Sequence, residues 1–200
     1  MNDSVRVATA ADVDDVVGVL TDAFGDDPLM SWAFPHLVTR SRRLAAMWRL
    51  VAGEGYLPLG RSTVVGRVGS GADAAALWLA PGQELDDDFW GPRTADFIAS
   101  LDGDVERLWS MSEVMSASHP QEPHWYLLAI GVSPPRQGGR LGSALLAHTL
   151  AEADADGAPA YLEATSPRSR ALYERFGFRV VEELDIPGGP AVWAMWREPR

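Results

Sequence analysis

The chain has 200 residues, of which 46% are hydrophobic, and a formal net charge of −11. It has no cysteine and all 17 basic residues are arginine, which excludes disulfides, thiolate metal sites, a cysteine nucleophile and a catalytic lysine. The acidic charge argues against nucleic acid as a partner, because phosphate binding needs clustered cations. Length and composition predict one globular domain over residues 1–200.

No apolar run approaches the roughly 20 residues that a membrane span requires. Residues 1–7 carry charged side chains and lack the apolar segment of a secretion signal. We therefore expect a cytoplasmic protein with no membrane partner and no metal cofactor.

Apolar runs and amphipathic periodicity, bounded by glycine and proline, predict the secondary structure. In chain order the elements are a strand at 5–8, helices at 13–24 and 40–53, strands at 62–68 and 74–80 joined by a turn at 69–71, a helix at 105–116, a strand at 125–132, a helix at 141–155, a strand at 160–164, a helix at 168–175, and strands at 178–184 and 191–196. Thr9 and Asp12 form a capping pair ahead of the first helix. The order predicts a mixed α+β sheet with helices on both faces.

A glycine-rich segment lies between the predicted strand at 125–132 and the helix at 141–155. Small residues there let backbone N–H groups approach an anion, and the helix N-terminus adds a partial positive charge. A pyrophosphate is the ligand that this arrangement favours. The segment consists of Gln137, Gly138, Gly139, Arg140, Leu141, Gly142 and Ser143.

Two other kinds of phosphate-binding loop do not fit this segment. A dinucleotide loop places G-x-G directly after the strand, whereas residues 133–137 intervene here and the segment contains no G-x-G. A Walker-type loop requires a lysine, which the chain lacks.

The segment resembles the acetyl-CoA motif Q/R-x-x-G/A-x-G/A of the GNAT superfamily of N-acetyltransferases. Arg140 stands at the fourth position, where the family usually has glycine or alanine. The family's tyrosine ahead of a Gly-Phe pair is matched by Tyr173 within residues 172–178. On these motifs the chain is identified as a member of that superfamily. Within it, residues 122–127 and 161–163 resemble the puromycin N-acetyltransferases.

The resemblance implies the GNAT fold, a mixed central sheet of about six to seven strands with one splayed pair and helices on both faces. It implies acetyl-CoA as the co-substrate. Pantetheine would lie in the gap and pair with the main chain of Ile130, Gly131 and Val132, and the pyrophosphate would bind the glycine-rich segment. We expect a monomer or a homodimer.

Acetyl transfer to an amine needs a base, because an alkylammonium has a pKa near ~10. The resemblance makes Glu163 one candidate, while His124 and a water chain stay open as alternatives. Tyr173 is predicted to act as a general acid toward the leaving thiolate, and a backbone N–H near Ile130 would polarise the thioester carbonyl.

The acceptor site is predicted at the end of the first helix. Carboxylates beside aromatic rings suit a cationic amine with an apolar body. The candidate residues are Asp26, Asp27, Trp32 and Phe34. The favoured function is therefore acetyl transfer to a small-molecule amine, possibly aminonucleoside-like in chemistry. Acetylation of a peptide or protein amine, and an inert CoA-binding sensor, remain the alternatives.

Overall fold

The computed structural model describes residues 4–66, 71–103 and 105–200. Within them, seven strands form one mixed sheet with the spatial order 1-2-3-4-5-7-6. Neighbouring strands are antiparallel except for the fourth and fifth, which are parallel. In chain order the strands are β1 (Val5–Val7), β2 (Thr63–Gly66), β3 (Ala72–Leu79), β4 (Trp125–Val132), β5 (Ala160–Ala164), β6 (Arg179–Leu184) and β7 (Val192–Arg197).

Helices cover both faces of this sheet. In chain order they are α1 (Val13–Phe24), α2 (Pro28–Ala33), α3 (Leu37–Trp48), α4 (Asp87–Trp90), α5 (Thr94–Ser100), α6 (Glu106–Ala117), α7 (Leu141–Ala155) and α8 (Pro167–Arg175). A π-helix, Arg49–Tyr56, continues α3. The predicted mixed α+β sheet with helices on both faces is confirmed.

The central strands are buried on both faces, which explains their nearly continuous apolar sequences. Alternate positions of β3 belong to different cores. Ala75 and Leu77 pack in the core that includes α1 and α3, whereas Ala76 and Trp78 pack in the core that includes α7. The sheet is therefore the middle layer of three.

The elements around the glycine-rich segment have the bounds predicted from the sequence. These are β4, α7 and β5, each an apolar run that ends where proline or glycine follows closely. Among the described residues, the other strands differ from their predictions by a residue or two at their ends, and the predicted end of the second strand, 67–68, lies outside those residues. The predicted turn at 69–71 lies largely outside the described residues.

The structure corrects the prediction between residues 25 and 56. Asp27 follows α1 and also caps α2, because its Oδ1 accepts hydrogen bonds from the backbone N–H groups of Leu29 and Met30. α3 begins at Leu37, three residues before the predicted start at 40. Its continuation as a π-helix is a change of hydrogen-bond pattern that apolar periodicity does not reveal.

Residues 83–122 insert helices between β3 and β4. The predicted helix at 105–116 is present as α6, whereas α4 and α5 are too short to show a clear period. Arg107 of α6 donates to the carbonyl oxygen of Trp32 at 2.8 Å and lies over the Trp32 ring. The insertion is thereby attached to α2.

A β-bulge in β4 separates the fourth and fifth strands. Leu77 of β3 pairs with Ala129 and Trp78 pairs with Leu127, so Leu128 is the extra residue. Leu128 and Ala129 consequently both face the core of α1 and α3. β4 pairs with β5 only over its first three residues, up to Leu127. The bulge therefore marks the point at which the two parallel strands begin to splay.

Candidate active site

A cleft of about 550 Å³ opens between β4 and β5 beyond the last paired residues. One wall is the edge of β4 from Leu128 to Val132, and the opposite wall includes Glu163 of β5 and Tyr173 of α8. The glycine-rich segment lies at the end of the cleft where β4 ends. The fold thus joins the predicted phosphate loop and both predicted catalytic side chains in one cavity.

Four arginines line the cleft, although the chain as a whole is acidic. They are Arg136, Arg140, Arg168 and Arg175. Arg168 donates to the side-chain oxygen of Gln137 at 3.4 Å, which connects α8 to the glycine-rich segment. The first turn of α7 adds unpaired backbone N–H groups. Guanidinium groups beside a helix N-terminus suit a polyphosphate.

Two glycines at this end of the cleft have different physical roles. A Cβ at Gly131 would lie 2.9 Å from the Cβ of Ala23, so this glycine allows α1 to pack directly on β4. A Cβ at Gly142 would come no closer than 3.6 Å to protein, at Val132 Cγ2. Protein packing therefore does not require a glycine at 142, and the missing side chain leaves room for a ligand beside α7.

Arg140 adopts the left-handed backbone conformation, with φ = 64° and ψ = 8°. Glycine enters this region without steric cost, whereas a side chain with a Cβ is disfavoured by about 1–2 kcal/mol. A glycine at this position would therefore carry no backbone strain. Arg140 accepts that backbone cost and places a guanidinium group beside the cleft.

Glu163 is almost completely buried, with 2% of its side chain exposed. Its Oε2 accepts a hydrogen bond of 3.0 Å from the Tyr126 hydroxyl. Its Oε1 has no hydrogen-bond partner among the described residues. Burying a carboxylate oxygen without a hydrogen-bond donor costs free energy. The unpaired Oε1 therefore indicates that a ligand or a water molecule donates a hydrogen bond at this position.

Aromatic side chains surround the Glu163 carboxylate. Tyr126 and Tyr161 stack with ring centroids 6.0 Å apart, and Tyr56 of the π-helix is fully buried nearby. Burial, and then the charge of Glu163, raises the pKa of all three phenols. They remain protonated at neutral pH. The Tyr161 hydroxyl is buried and, among the described residues, also lacks a hydrogen-bond partner.

Two histidines adjoin this cluster. His124 is buried, and its Nδ1 lies 2.6 Å from the carbonyl oxygen of Glu122. Burial lowers the pKa of His124, which favours the neutral ring. His119 follows α6, and its Nδ1 lies 3.9 Å from Glu163 Oε1. His119 is therefore paired with Glu163 more directly than His124, the histidine that the sequence singled out.

Tyr173 is buried and lines the cleft. Burial, and then the nearby charge of Asp27, raises the pKa of Tyr173, so the phenol keeps its proton at neutral pH. Asp27 Oδ2 accepts a hydrogen bond of 2.5 Å from the hydroxyl of Thr165, which follows β5. Burial raises the pKa of Asp27. The Asp27–Thr165 hydrogen bond joins the walls of the cleft at the α1–α2 turn and the β5–α8 turn.

Two other kinds of site are absent from the residues that the structure describes. In residues 4–66, 71–103 and 105–200 no cluster of three or more histidine and acidic side chains is arranged to hold a metal ion. Across the same ranges, no helix combines the length and apolarity that crossing a bilayer needs.

Known proteins resemble this chain in sequence. Residues 74–178 match the acetyltransferase (GNAT) family. The chain belongs to this family. An uncharacterized N-acetyltransferase of Schizosaccharomyces pombe is 27% identical over 179 residues, which cover 84% of this chain and 71% of that protein.

Solved structures agree with this assignment. A Corynebacterium glutamicum protein, described as histone acetyltransferase HPA2 and related acetyltransferase, is 30% identical, with a TM-score of 0.76 over 100% of this chain and 98% of its own. Arylalkylamine N-acetyltransferase 2 of Aedes aegypti superimposes with a TM-score of 0.68 over 100% of both chains but is 13% identical, so it shows the fold alone. The GNAT fold is confirmed, and the enzyme is an acyltransferase.

The GNAT cleft includes most of the predicted cofactor residues but few of the predicted acceptor residues. Of the cofactor set, only Gly139 is absent from the described lining. Asp27 lines the cleft, but both of its oxygens bind the protein itself. Phe34 is completely buried in the core, Trp32 packs under Arg107, and Asp26 is exposed outside the cleft. None of these three lines the cleft, and their role in acceptor binding stays a prediction.

Sequence reasoning missed the side chains that surround Glu163. Tyr161 lies two residues before Glu163 on β5, and Tyr126 pairs with Tyr161 across the parallel strands. The alternation of β5 could have placed Tyr161 on the same face as Glu163. No sequence pattern places His119 there, because it depends on how the segment from 83 to 122 folds.

A pair of substitutions at Arg140 separates its backbone cost from its charge. Arg140→Gly and Arg140→Ala both remove the guanidinium, but only glycine relieves the left-handed conformation. We expect the glycine variant to be more stable than the alanine variant by about 1 kcal/mol in urea unfolding. Both variants should lose affinity for acetyl-CoA to a similar extent in calorimetry. Equal stability of the two variants would contradict the conformation seen here.

Gly142→Val tests whether the space at the start of α7 receives a ligand. The unliganded variant should unfold at about the wild-type temperature, because valine and glycine differ little in helix propensity and a Cβ meets no protein atom closely. Acetyl-CoA at ~100-fold above its Kd should stabilise the wild type by roughly 2.7 kcal/mol and the variant by almost nothing. Gly18→Val, an exposed helical glycine with open space at its Cβ, is the matched control. A normal acetyl-CoA shift in Gly142→Val would refute the loop assignment.

Proposed function

We propose that this GNAT enzyme transfers an acetyl group from acetyl-CoA to the amine of a small molecule, with Glu163 as general base and Tyr173 as general acid. The observation that carries the proposal is the single cleft that leads from the arginine-lined loop to the buried carboxylate of Glu163. Acetyl-CoA supplies a thioester, whose acyl carbon is the electrophile.

The cofactor end of the cleft has the groups that acetyl-CoA requires. Backbone N–H groups from Gln137 to Ser143, together with the cleft-lining arginines, would bind the pyrophosphate. The edge of β4 beyond Leu127 has no strand pairing on the β5 side, so its main chain is available to the pantetheine amides. A backbone N–H near Ile130 would polarise the thioester carbonyl.

Glu163 would receive a proton from the acceptor ammonium. Oε1, which has no hydrogen-bond partner among the described residues, would accept this proton. The hydrogen bond from Tyr126 to Oε2 holds the carboxylate in position. Burial in a ring of protonated phenols strengthens the attraction between the carboxylate and an ammonium ion. Tyr173, whose protonated phenol lines the same cleft, would donate its proton to the departing sulfur and recover one of the two protons that the acceptor nitrogen loses.

The same cluster favours a compact, cationic acceptor with an apolar or aromatic body. The rings of Tyr126 and Tyr161 offer faces for stacking and for cation–π contact, and Glu163 offers the balancing charge. A peptide amine is the alternative acceptor, and a CoA sensor without turnover is the alternative outside catalysis. The likeness of residues 122–127 and 161–163 to puromycin N-acetyltransferases supports an aminonucleoside among the candidates.

Release of free CoA thiol with a panel of amines tests this function. The panel includes puromycin, agmatine, spermidine, tryptamine and a peptide with a free N-terminus. Turnover of one or more small amines with the peptide inactive supports the proposal. Turnover of the peptide alone favours the protein acceptor, and acetyl-CoA binding without turnover of any amine favours the sensor.

Tyr173→Phe removes the proton donor and keeps the ring. We expect kcat in single turnovers to fall by about 10²-fold, the low end for general acid catalysis, because a thiolate leaves fairly well unaided. Affinity for acetyl-CoA, measured by calorimetry, should change little, since the loop and β4 provide most of the predicted contacts. A kcat within twofold of the wild type would mean that Tyr173 serves only to pack the core.

Glu163→Gln removes the base and keeps the shape of the side chain. The loss of kcat should be largest at low pH, where the amine is almost wholly protonated, and should shrink as pH rises toward the amine pKa of ~10. Glu174→Gln, on the exposed side of α8, is the matched control and should behave as the wild type. A loss that is constant with pH would assign the base to His124 or to a water chain.

A further inference from the structure

Acetylation of an ammonium leaves one proton that the active site must discard. The acceptor nitrogen begins with three protons and ends in the amide with one. One of the two protons lost ends on the CoA sulfur, and the other must reach solvent. This requirement rests on the proposed function, and it holds for any primary amine acceptor.

Glu163 borders the cleft but has almost no direct contact with bulk water. Its side chain is 2% exposed, and Tyr126 occupies Oε2. The remaining oxygen, Oε1, is buried and has no partner among the described residues. A second titratable group beside Oε1 would connect it with solvent.

His119 occupies the position between Oε1 and solvent. Its Nδ1 lies 3.9 Å from Oε1, while 33% of its side chain is exposed. Its ring packs edge-on against Tyr126 at 4.8 Å and against Tyr161 at 5.1 Å between centroids. These contacts orient the imidazole toward the carboxylate. We propose that His119 carries the proton of Glu163 from the buried active site to solvent.

The step balances with no further reactant. The O–H bond of the protonated Glu163 carboxyl breaks, and an N–H bond forms on the His119 ring. The resulting imidazolium gives a proton to solvent water and returns to the neutral form, while Glu163 returns to the carboxylate. Closing the gap of 3.9 Å requires a side-chain movement of about 1 Å or one bridging water, and catalytic hydrogen bonds are often this long in unliganded enzymes.

Among the groups clustered around Glu163, His119 is the one that can both accept its proton and release it to solvent. Glu163 and Tyr161 face it from β5, Tyr126 faces it from β4, and His124 lies 4.9 Å away between ring centroids. Raised phenol pKa values keep the tyrosines protonated, so they cannot accept the proton. The His124 ring packs against Trp196, and its Nδ1 lies 2.6 Å from the carbonyl oxygen of Glu122. The carboxylate of Glu122 is a further charged group near His124.

His119→Ala and His119→Gln test the proposal. The control is His148→Ala, because His148 lies on α7 beside Glu152 with 38% of its side chain exposed. With the best amine of the panel, single-turnover kcat at neutral pH should fall about tenfold in both His119 variants and remain unchanged in His148→Ala. Added imidazole should restore the rate of His119→Ala in a saturable way. It should not restore Glu163→Gln.

A measurement without turnover separates proton transfer from substrate binding. The Kd of the amine for the free enzyme, by calorimetry, should be the same in wild type and His119→Gln. A rate within twofold of wild type, absence of imidazole rescue, or a Kd weakened as much as kcat would each overturn the proposal. If Glu163→Gln shows its predicted pH dependence in the same preparations, only the role of His119 fails and the proposed function stands.

Discussion

The β-bulge at Leu128 sets the position at which the cleft between β4 and β5 opens. Before the bulge, β4 is an ordinary member of the sheet, paired to β3 on one side and to β5 on the other. After it, Leu128 and Ala129 face the same core, and the pairing with β5 is gone. The strand edge so exposed forms a wall of the cleft. Gly131, three residues beyond the bulge, lets α1 pack directly on β4.

The cleft has opposite electrostatic character at its two ends. Arginines and the first turn of α7 line the end where β4 finishes, although the chain carries a net charge of −11. Glu163 and its ring of protonated phenols lie at the other end. The first end therefore suits an anionic group and the second a cationic one.

The wall of the cleft depends on short segments that join distant parts of the chain. Asp27 shows how one side chain does this, because one oxygen caps α2 and the other binds Thr165 after β5. The segment between β3 and β4 makes a similar link, through Arg107 to Trp32 and through His119 to Glu163. A segment whose secondary structure was hard to predict thus places a side chain beside Glu163.

Local chemistry in the sequence determined the elements nearest the cofactor. Three local features set the conformation here: the apolar run at 125–132, the proline-containing segment after it and the glycines from 138 to 142. Each acts through the sterics and hydrogen bonding of residues that are close together in the chain. That is why β4, α7 and β5 match their predicted bounds, whereas Glu163 and Tyr173 were named from the family resemblance and their roles stay predictions.

Only the tertiary structure decided which side chains accompany Glu163. The bulge at Leu128 depends on register against β3, and His119 reaches its place through three helices of an insertion. Phe34 shows the converse, because an aromatic beside two aspartates suits a binding site in sequence but is completely buried in the core. Burial and contact between residues far apart in the chain are set by how the layers pack, and no local pattern encodes them.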